Sequence, residues 1–541
     1  MNKKIFLNQI GYISSQPKTA VYTGTADSFQ IINARTGKTM FSGLLRTTVY
    51  DKASGDTVSL IDFSTFNMCG KYYIKIGLKK SCPFVISDKP YTEVKKGLLK
   101  GLYYNRCSAL DSRFAGEYAH KACHTDLIPL FENPSRRLDV SGGWHDSGSY
   151  GKFSVCTSVT LGHLLYAYKL FPECFREETG IPESGNGIPD ILNECRVGLE
   201  WLLKMQARDG GVHHKVVSPR PPESHLMPDD DPTEQYVFAK SHQATACACA
   251  VFSLASRIFG EFDSQFAERL NEASINAWIW LMNNPDYEPY ETPPTISLIA
   301  AGDFYDDNFN DELFWAVCEL YETTGDDSFH DKIKELCNSV EGTGFINCEV
   351  SGFGTLAYVC GSQARDKNIE QALHLRLRIR ADNLYGLSRK SGYGTAKSAD
   401  DYIRGSNMYA MTDSITLILA YRIFGCEEYL DTVCEQMNYI LGKNPMGICY
   451  ITGFGKNTVM NPHHRQSEAD DIEEPVPGLL VCGPSKLVQD DFLQWNVPDN
   501  ASPAKCYYDN VHSYTTNEAT IYTNSSAIFV AGYLDSLTDM H

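Results

Sequence analysis

The chain has 541 residues, 43% of them hydrophobic and 12% aromatic, which supports packed cores and excludes a disordered polypeptide. That length exceeds one simple core and predicts two or more domains. The formal charge of −19 argues against nucleic acid or an anionic membrane as partner and suits a neutral or cationic ligand, although solubility alone also explains it.

The opening "MNKKIFLNQIGYISS" carries two lysines, but Asn8, Gln9 and Gly11 interrupt its apolar run and no small-residue cleavage site follows. Neither a signal peptide nor a run of about 18 apolar residues is found, so a cytoplasmic protein with no membrane span is expected. The 18 cysteines are scattered, several within helical patterns (Cys195, Cys247, Cys249, Cys318, Cys434), and read as reduced thiols. Up to about residue 90, the runs "TAVYTGT", "SFQIINA", "GKTMFSG", "DTVSLIDFS", "GKYYIKIG" and "CPFVISD" are rich in β-branched and aromatic residues. Gly, Asp, Ser and Asn punctuate them, which predicts a small antiparallel sandwich. "SDKPYTEV" reads as its boundary, giving an expected β-domain over 1–90 and a second domain over 91–541.

Helical patterns follow. In "GNGIPDILNECRVGLEWLLKMQ", Pro189 and Asp190 suit a first turn, and Ile191, Cys195, Leu199 and Leu202 share one face. "ASRIFGEFDSQFAERL", "ELYETTGDDSFHDKIKEL" and "AYRIFGCEEYLDTVCEQM" each read as helix, Gly-containing break, helix. A recurring α-hairpin predicts a helical toroid or solenoid, although a Gly stop explains each case alone. Long polar segments at 205–242, 285–311 and 455–515 interrupt the helices and are expected to carry function.

Three constellations stand out. "NPHHRQSEADD" gathers His463, His464 and Arg465 behind Pro462; adjacent histidines make a poor metal pair, but these donors suit a sugar. "YYDNVHSYTTNEATIYTNSS" offers Asp509 and Glu518 among tyrosines, including Tyr514. A carboxyl among apolar rings is held protonated, as a general acid requires, although Glu518 alone also suits a helix N-terminus. "DVSGGWHDSGSYGKF" supplies Asp146 far away in sequence, and carboxyls on two loops among aromatics are the arrangement for glycoside hydrolysis. Trp144 reads as a stacking platform for a sugar ring or as a core residue. Cys107, Cys123, His124 and His145 form a Cys₂His₂ set suited to tetrahedral zinc, or else free buried cysteines.

These blocks, together with "LNQIGYISSQPKTAVY", "YILGKNPMGICYITGFGKNTVMNPHHR" and "PVPGLLVCGP", resemble glycoside hydrolase family 9, in particular its intracellular cellodextrinase and endoglucanase members with an N-terminal immunoglobulin-like domain. The resemblance covers nearly the whole chain. It implies an immunoglobulin-like β-sandwich followed by an (α/α)₆ barrel, and inverting hydrolysis of β-1,4-glucans. It implies Glu518 as general acid, with His463, Arg465 and Asp509 on the substrate and Trp144 or Tyr514 stacking. It further implies structural zinc on Cys107, Cys123, His124 and His145, and calcium, for which "FNDE" at 309–312 is a candidate. The partner is then a β-linked oligosaccharide, and a monomer or weak homo-oligomer is expected.

One position departs from the family block, which has two aspartates three residues apart. Asp146 fills the first place, but Ser149 stands where the water-activating base is expected. A serine hydroxyl cannot accept water's proton at neutral pH, and general-base assistance is worth about 10²–10⁴-fold in rate. Three readings stay open: an engineered replacement of the base, Asp146 as base with Ser149 as a second water contact, or a slow enzyme or carbohydrate-binding pseudoenzyme. An exo-β-glucosaminidase on chitosan oligosaccharides is the alternative activity.

Overall fold

The protein is described from a computed structural model covering residues 4–45, 47–146, 148–220, 223–293, 302–498 and 500–537. Among the described residues, ten short strands precede residue 90. In one sheet the order is β1 (Ile5–Phe6), β3 (Thr19–Tyr22), β7 (Asp56–Asp62), β6 (Thr48–Asp51). In the other it is β2 (Gly11–Ile13), β10 (Phe84–Ser87), β8 (Gly70–Ile76), β4 (Ser28–Asn33), β5 (Thr39–Leu44), with β9 (Lys79–Lys80) beside β8. All six runs named from the sequence contain a strand. The pairing is antiparallel except between β2 and β10, which run parallel, so the sandwich is not wholly antiparallel as expected. Alternate residues turn inward, and Tyr12, Phe29, Ile31, Phe63, Tyr72, Ile74 and Phe84 fill one apolar core. Each side chain buried there contributes about 1.5–3 kcal/mol.

The three helix–Gly–helix units form as read. Helix His242–Phe259 leads through Gly260 to Ser264–Asn283, Asn310–Thr324 through Gly325 to Asp327–Leu336, and Ser406–Phe424 through Gly425 to Glu427–Ile440. Gly325 and Gly425 take left-handed C-cap conformations, at φ 67° and 66°, where a side chain would be strained. Helix Asp190–Met205 starts just after Pro189 and buries Ile191, Cys195, Leu199 and Leu202.

The chain divides into two compact units. One comprises Met1–Gly101, Ala381–Ser467 and Ile472–His541; the other comprises Leu102–Arg380 and Glu468–Asp471. Within the first, buried polar contacts join the β-sandwich to distant sequence. Asn8 Nδ2 donates to Asn438 Oδ1 at 2.9 Å, Tyr393 Oη to Asp56 Oδ2 at 2.8 Å, and Gly392 N to Asp51 Oδ1 at 3.0 Å. Part of the 285–311 loop, residues 294–301, lies outside the described residues. Among the described residues, no helix is long and apolar enough to cross a membrane. All 18 cysteines are free thiols.

Candidate active site and metal centres

The segment 142–153 begins at two glycines with φ 87° and 76°. A Cβ on Gly143 would lie 2.7 Å from the Trp201 ring, so only glycine lets the chain pass. The backbone then runs beside residues 105–107: Cys107 N donates to Gly143 O and His145 N to Asn105 O, both at 2.8 Å. Successive side chains of extended backbone point to opposite faces. Trp144 and Arg106 both meet Glu194, through Trp144 Nε1 at 3.2 Å and Arg106 Nη2 at 2.7 Å, while Cys107 and His145 belong to the cluster described next. Trp144 is fully buried and covers Gly198, so it is a support behind the segment and not the sugar-stacking surface the sequence suggested.

Cys107, Cys123, His124 and His145 converge, each offering a ligand atom within 4.8 Å of the others. Cys107 Sγ and Cys123 Sγ are 4.0 Å apart, and Cys123 Sγ lies 3.9 Å from His145 Nε2. Tetrahedral zinc spaces such atoms by about 3.3–3.8 Å, so a small contraction completes the site. Both ring nitrogens of His124 are buried without a hydrogen-bond partner, and its backbone is held at φ 48°, an uncommon conformation for a non-glycine residue. The hydrogen bond from Cys123 holds the Cys107 thiol well below its usual range against the effect of burial, and Lys152 and His145 assist. Burial pushes His145 down to about 4, so its imidazole is neutral, as a ligand must be. Lys152, which the sequence did not flag, donates to Cys107 Sγ at 3.6 Å and to Val140 O and Gly142 O at 2.6 and 2.9 Å. The residues present fit a zinc ion.

Asp146 follows His145 directly and is buried. Its N–H donates to Gly151 O at 2.9 Å, and Ser149 N–H donates back to Asp146 O at 3.4 Å, closing a turn. Ser149 Oγ accepts from Gly151 N–H at 3.2 Å. The turn thus presents a carboxylate and a hydroxyl three residues apart.

The other site residues lie in the first unit. Glu518 ends the short helix Tyr514–Asn517 and stands two residues before Thr520, the N-cap of helix Ile521–Ser536. It is therefore not a helix N-terminal carboxylate. Its carbonyl accepts from Cys482 N–H at 2.8 Å, and residues 463 and 518 form a parallel bridge. His463 N–H donates to Asn517 O at 2.8 Å, and its Nδ1 donates to Val511 O at 2.6 Å, which orients the ring. Asp509 binds Met460 N–H and Asn461 N–H at 2.8 and 2.9 Å and Asn517 Nδ2 at 3.1 Å. Asp509 thereby fixes the loop carrying His463 and Arg465. Arg465 is buried at the start of the short helix Arg465–Ala469.

Arg404 was missed by sequence reasoning. Its guanidinium pairs with Glu518 Oε2 and lies 5.1 Å from the Tyr514 ring centroid. Glu518 keeps a side-chain exposure of only 15%. The carboxylate strengthens the guanidinium's hold on its proton. In "DDYIRGSN" nothing marks this arginine, because its partner lies 114 residues away.

A second cluster is carboxylate only: Asp306, Asp311 and Glu312, all buried and mutually within 4.8 Å. Asp311 and Glu312 of the "FNDE" stretch lie in this cluster, and Asp306 completes it. Asp306 Oδ2, Asp311 Oδ1 and both Glu312 oxygens are buried without hydrogen-bond partners. Burial pushes Asp306 up to about 6 and Glu312 well above the carboxylate range. An all-oxygen set of this kind suits a hard cation such as calcium.

Comparison with known proteins agrees with this geometry. The family model "Glycosyl hydrolase family 9" matches residues 91–531, and "Cellulase N-terminal ig-like domain" matches residues 1–81. A cellodextrinase of Butyrivibrio fibrisolvens is 36% identical, over 98% of this chain and 100% of its own. The crystal structure of a single-mutant thermostable endoglucanase from Alicyclobacillus acidocaldarius superposes with a TM-score of 0.92 at 30% identity, covering 98% of this chain and 99% of that one. A Zn-binding triple mutant of the family 9 endoglucanase J30 gives 0.91 at 30% identity, over 97% and 99%. The chain belongs to glycosyl hydrolase family 9, as a glycoside hydrolase in which an immunoglobulin-like β-domain precedes a helical (α/α)₆-barrel domain.

Proposed function

We propose that this chain hydrolyses β-1,4-glucosidic bonds of soluble cello-oligosaccharides with inversion, with residues 1–90 as the β-domain and 91–541 as the catalytic domain. The observation that carries this reading is Glu518: a largely shielded carboxyl on a rigid turn, tied to the His463 loop and flanked by Tyr514 and Arg404. Glu518 protonates the glycosidic oxygen as the C1–O bond breaks. Water attacks C1 from the opposite face, forming the new C1–O bond, and gives its proton to a base. Asp146 holds or activates that water beside Ser149. His463 and Arg465 bind sugar hydroxyls, and Tyr514 offers a ring face.

Zinc held by Cys107, Cys123, His124 and His145 would cross-link three stretches of chain and set the position of Asp146. Calcium held by Asp306, Asp311 and Glu312 would neutralise carboxylates that burial otherwise penalises. Eighteen free thiols support a reducing, cytoplasmic setting, where imported oligosaccharides are the substrate and a monomer or weak homo-oligomer suffices.

One observation favours a second reading, a carbohydrate-binding protein with little turnover: Ser149 stands where a carboxylate is expected. Cellotetraose separates the readings: turnover lost in Glu518→Gln supports the hydrolase, and calorimetric binding without turnover supports the binder. Parallel assays on glucosamine oligomers test the exo-glucosaminidase alternative.

A further inference from the structure

In the first compact unit, a cavity of about 530 Å³ opens between the β-domain and residues 442–457. Among the described residues its lining includes four lysines, Lys4, Lys79, Lys80 and Lys456, and no aspartate or glutamate. In a chain with 67 acidic and 48 basic residues, a lining of this size should hold more acids than bases. Among the described residues, none of the four ammonium groups pairs with a carboxylate; Lys80 lies 5.1 Å from the centroid of the Tyr73 ring. Like charges gathered around a concavity repel one another, and the low-dielectric walls focus their field on whatever enters.

The walls are preformed. Gln9 Oε1 accepts from Lys456 N–H and Asn457 N–H, both at 2.8 Å, and Gln9 Nε2 donates to Gly447 O at 3.0 Å. Asn457 Nδ2 donates to the same carbonyl at 2.6 Å. The loop bearing Lys456 is thereby pinned to the β-domain, while Lys79 and Lys80 follow the turn after β8. Phe6 and Met446 add apolar surface. None of the catalytic, sugar-contacting or metal-cluster residues lines this cavity.

We propose that this cavity binds a small phosphorylated metabolite, its phosphate groups held by the four lysines and its organic body resting on Phe6 and Met446. Lysine ammoniums serve phosphate as point charges, and the volume lies within the range of small-ligand sites. The site is independent of the reading of Glu518 and Asp146.

The test is calorimetric titration of the full chain with ATP, glucose 6-phosphate and inorganic pyrophosphate, with adenosine as the uncharged control, at about 50 and 200 mM salt. ATP or glucose 6-phosphate should bind, adenosine should not, and affinity should fall with salt. The triple variant Lys79→Gln, Lys80→Gln, Lys456→Gln should weaken binding at least about tenfold while melting at the wild-type temperature and keeping cello-oligosaccharide binding. Two organic arms separate the sources: tighter ATP binding means a nucleotide, tighter glucose 6-phosphate a sugar phosphate. Binding of pyrophosphate alone, of none of the three, or equally by wild type and variant overturns the proposal.

Discussion

Restoring a carboxylate at position 149 probes the candidate site most sharply. Ser149 sits in the turn between Asp146 and Gly151, and its Oγ accepts the Gly151 N–H at 3.2 Å. In Ser149→Asp one carboxylate oxygen inherits that hydrogen bond, as aspartate does in many turns, so the backbone need not move and the cost to stability should stay within about 1 kcal/mol. The second oxygen is then a new proton acceptor beside Asp146. Two neighbouring carboxyls do not ionise equally: one is pushed up, towards the range a base needs at neutral pH. General-base assistance of about 10²–10⁴-fold corresponds to about 2.7–5.5 kcal/mol of barrier. The assay is glucose and cellobiose release from cellotetraose by wild type and variant at equal concentration, with melting curves to confirm folding. A rise of at least about 100-fold in kcat, with little change in KM, is expected. A folded variant that gains less than about threefold would refute the reasoning and make Asp146, or another group, the working base.

Zinc should remain with the protein at about one equivalent after dialysis, and Cys107→Ser should retain less than about half an equivalent and melt earlier. Chelating calcium should lower the melting temperature by a few degrees, and the double variant Asp311→Asn, Glu312→Gln should abolish that response; an unchanged melt in wild type would count against the carboxylate cluster. Arg106→Met strands Glu194 in the core beside Trp144 and should cost about 3–5 kcal/mol in urea unfolding; a loss below about 1 kcal/mol would deny the network a supporting role. His163 is buried, its ring nitrogen bonds Phe345 O at 3.0 Å, and burial lowers its pKa to about 3. The unfolded chain takes up that proton below about pH 6.5, so stability present above this value is lost as pH falls, by about 3 kcal/mol at pH 4. His163→Gln should flatten the acid limb of the unfolding free energy, and an unaltered slope would contradict the assignment.

The readable parts of the fold were those with a local cause. Runs of β-branched and aromatic residues set between turn residues exposed β3, β4, β5, β7, β8 and β10, and a Gly between helical patterns exposed the α-hairpins. The strands β1, β2 and β9 are two or three residues long, too short for a period to register, and β6 is an edge strand with only Asp51 of its four residues buried. The parallel β2–β10 pairing joins segments more than 70 residues apart, which no local pattern can reveal. In the site, Cys107, Cys123, His124 and His145 were legible because their side chains have few other reasons to be brought together. Asp311 and Glu312 stood in the acidic stretch "FNDE" that the family resemblance singled out, but Asp306 was not marked, because a lone aspartate in a loop looks like any other. Trp144 stayed open between platform and core residue because residue type alone does not say which face of an extended segment meets the core. Arg404 and Lys152 act through long-range contacts and left no trace in their neighbourhoods.

The central claim is inverting hydrolysis with Glu518 as the acid, and the stereochemistry of the first product tests it most directly. Cellotetraose is followed by proton NMR at high enzyme concentration, before mutarotation mixes the anomers. The account predicts that the new reducing end appears first as the α-anomer and that Glu518→Gln abolishes its formation. A β-anomer appearing first, or release unchanged by Glu518→Gln, would contradict it.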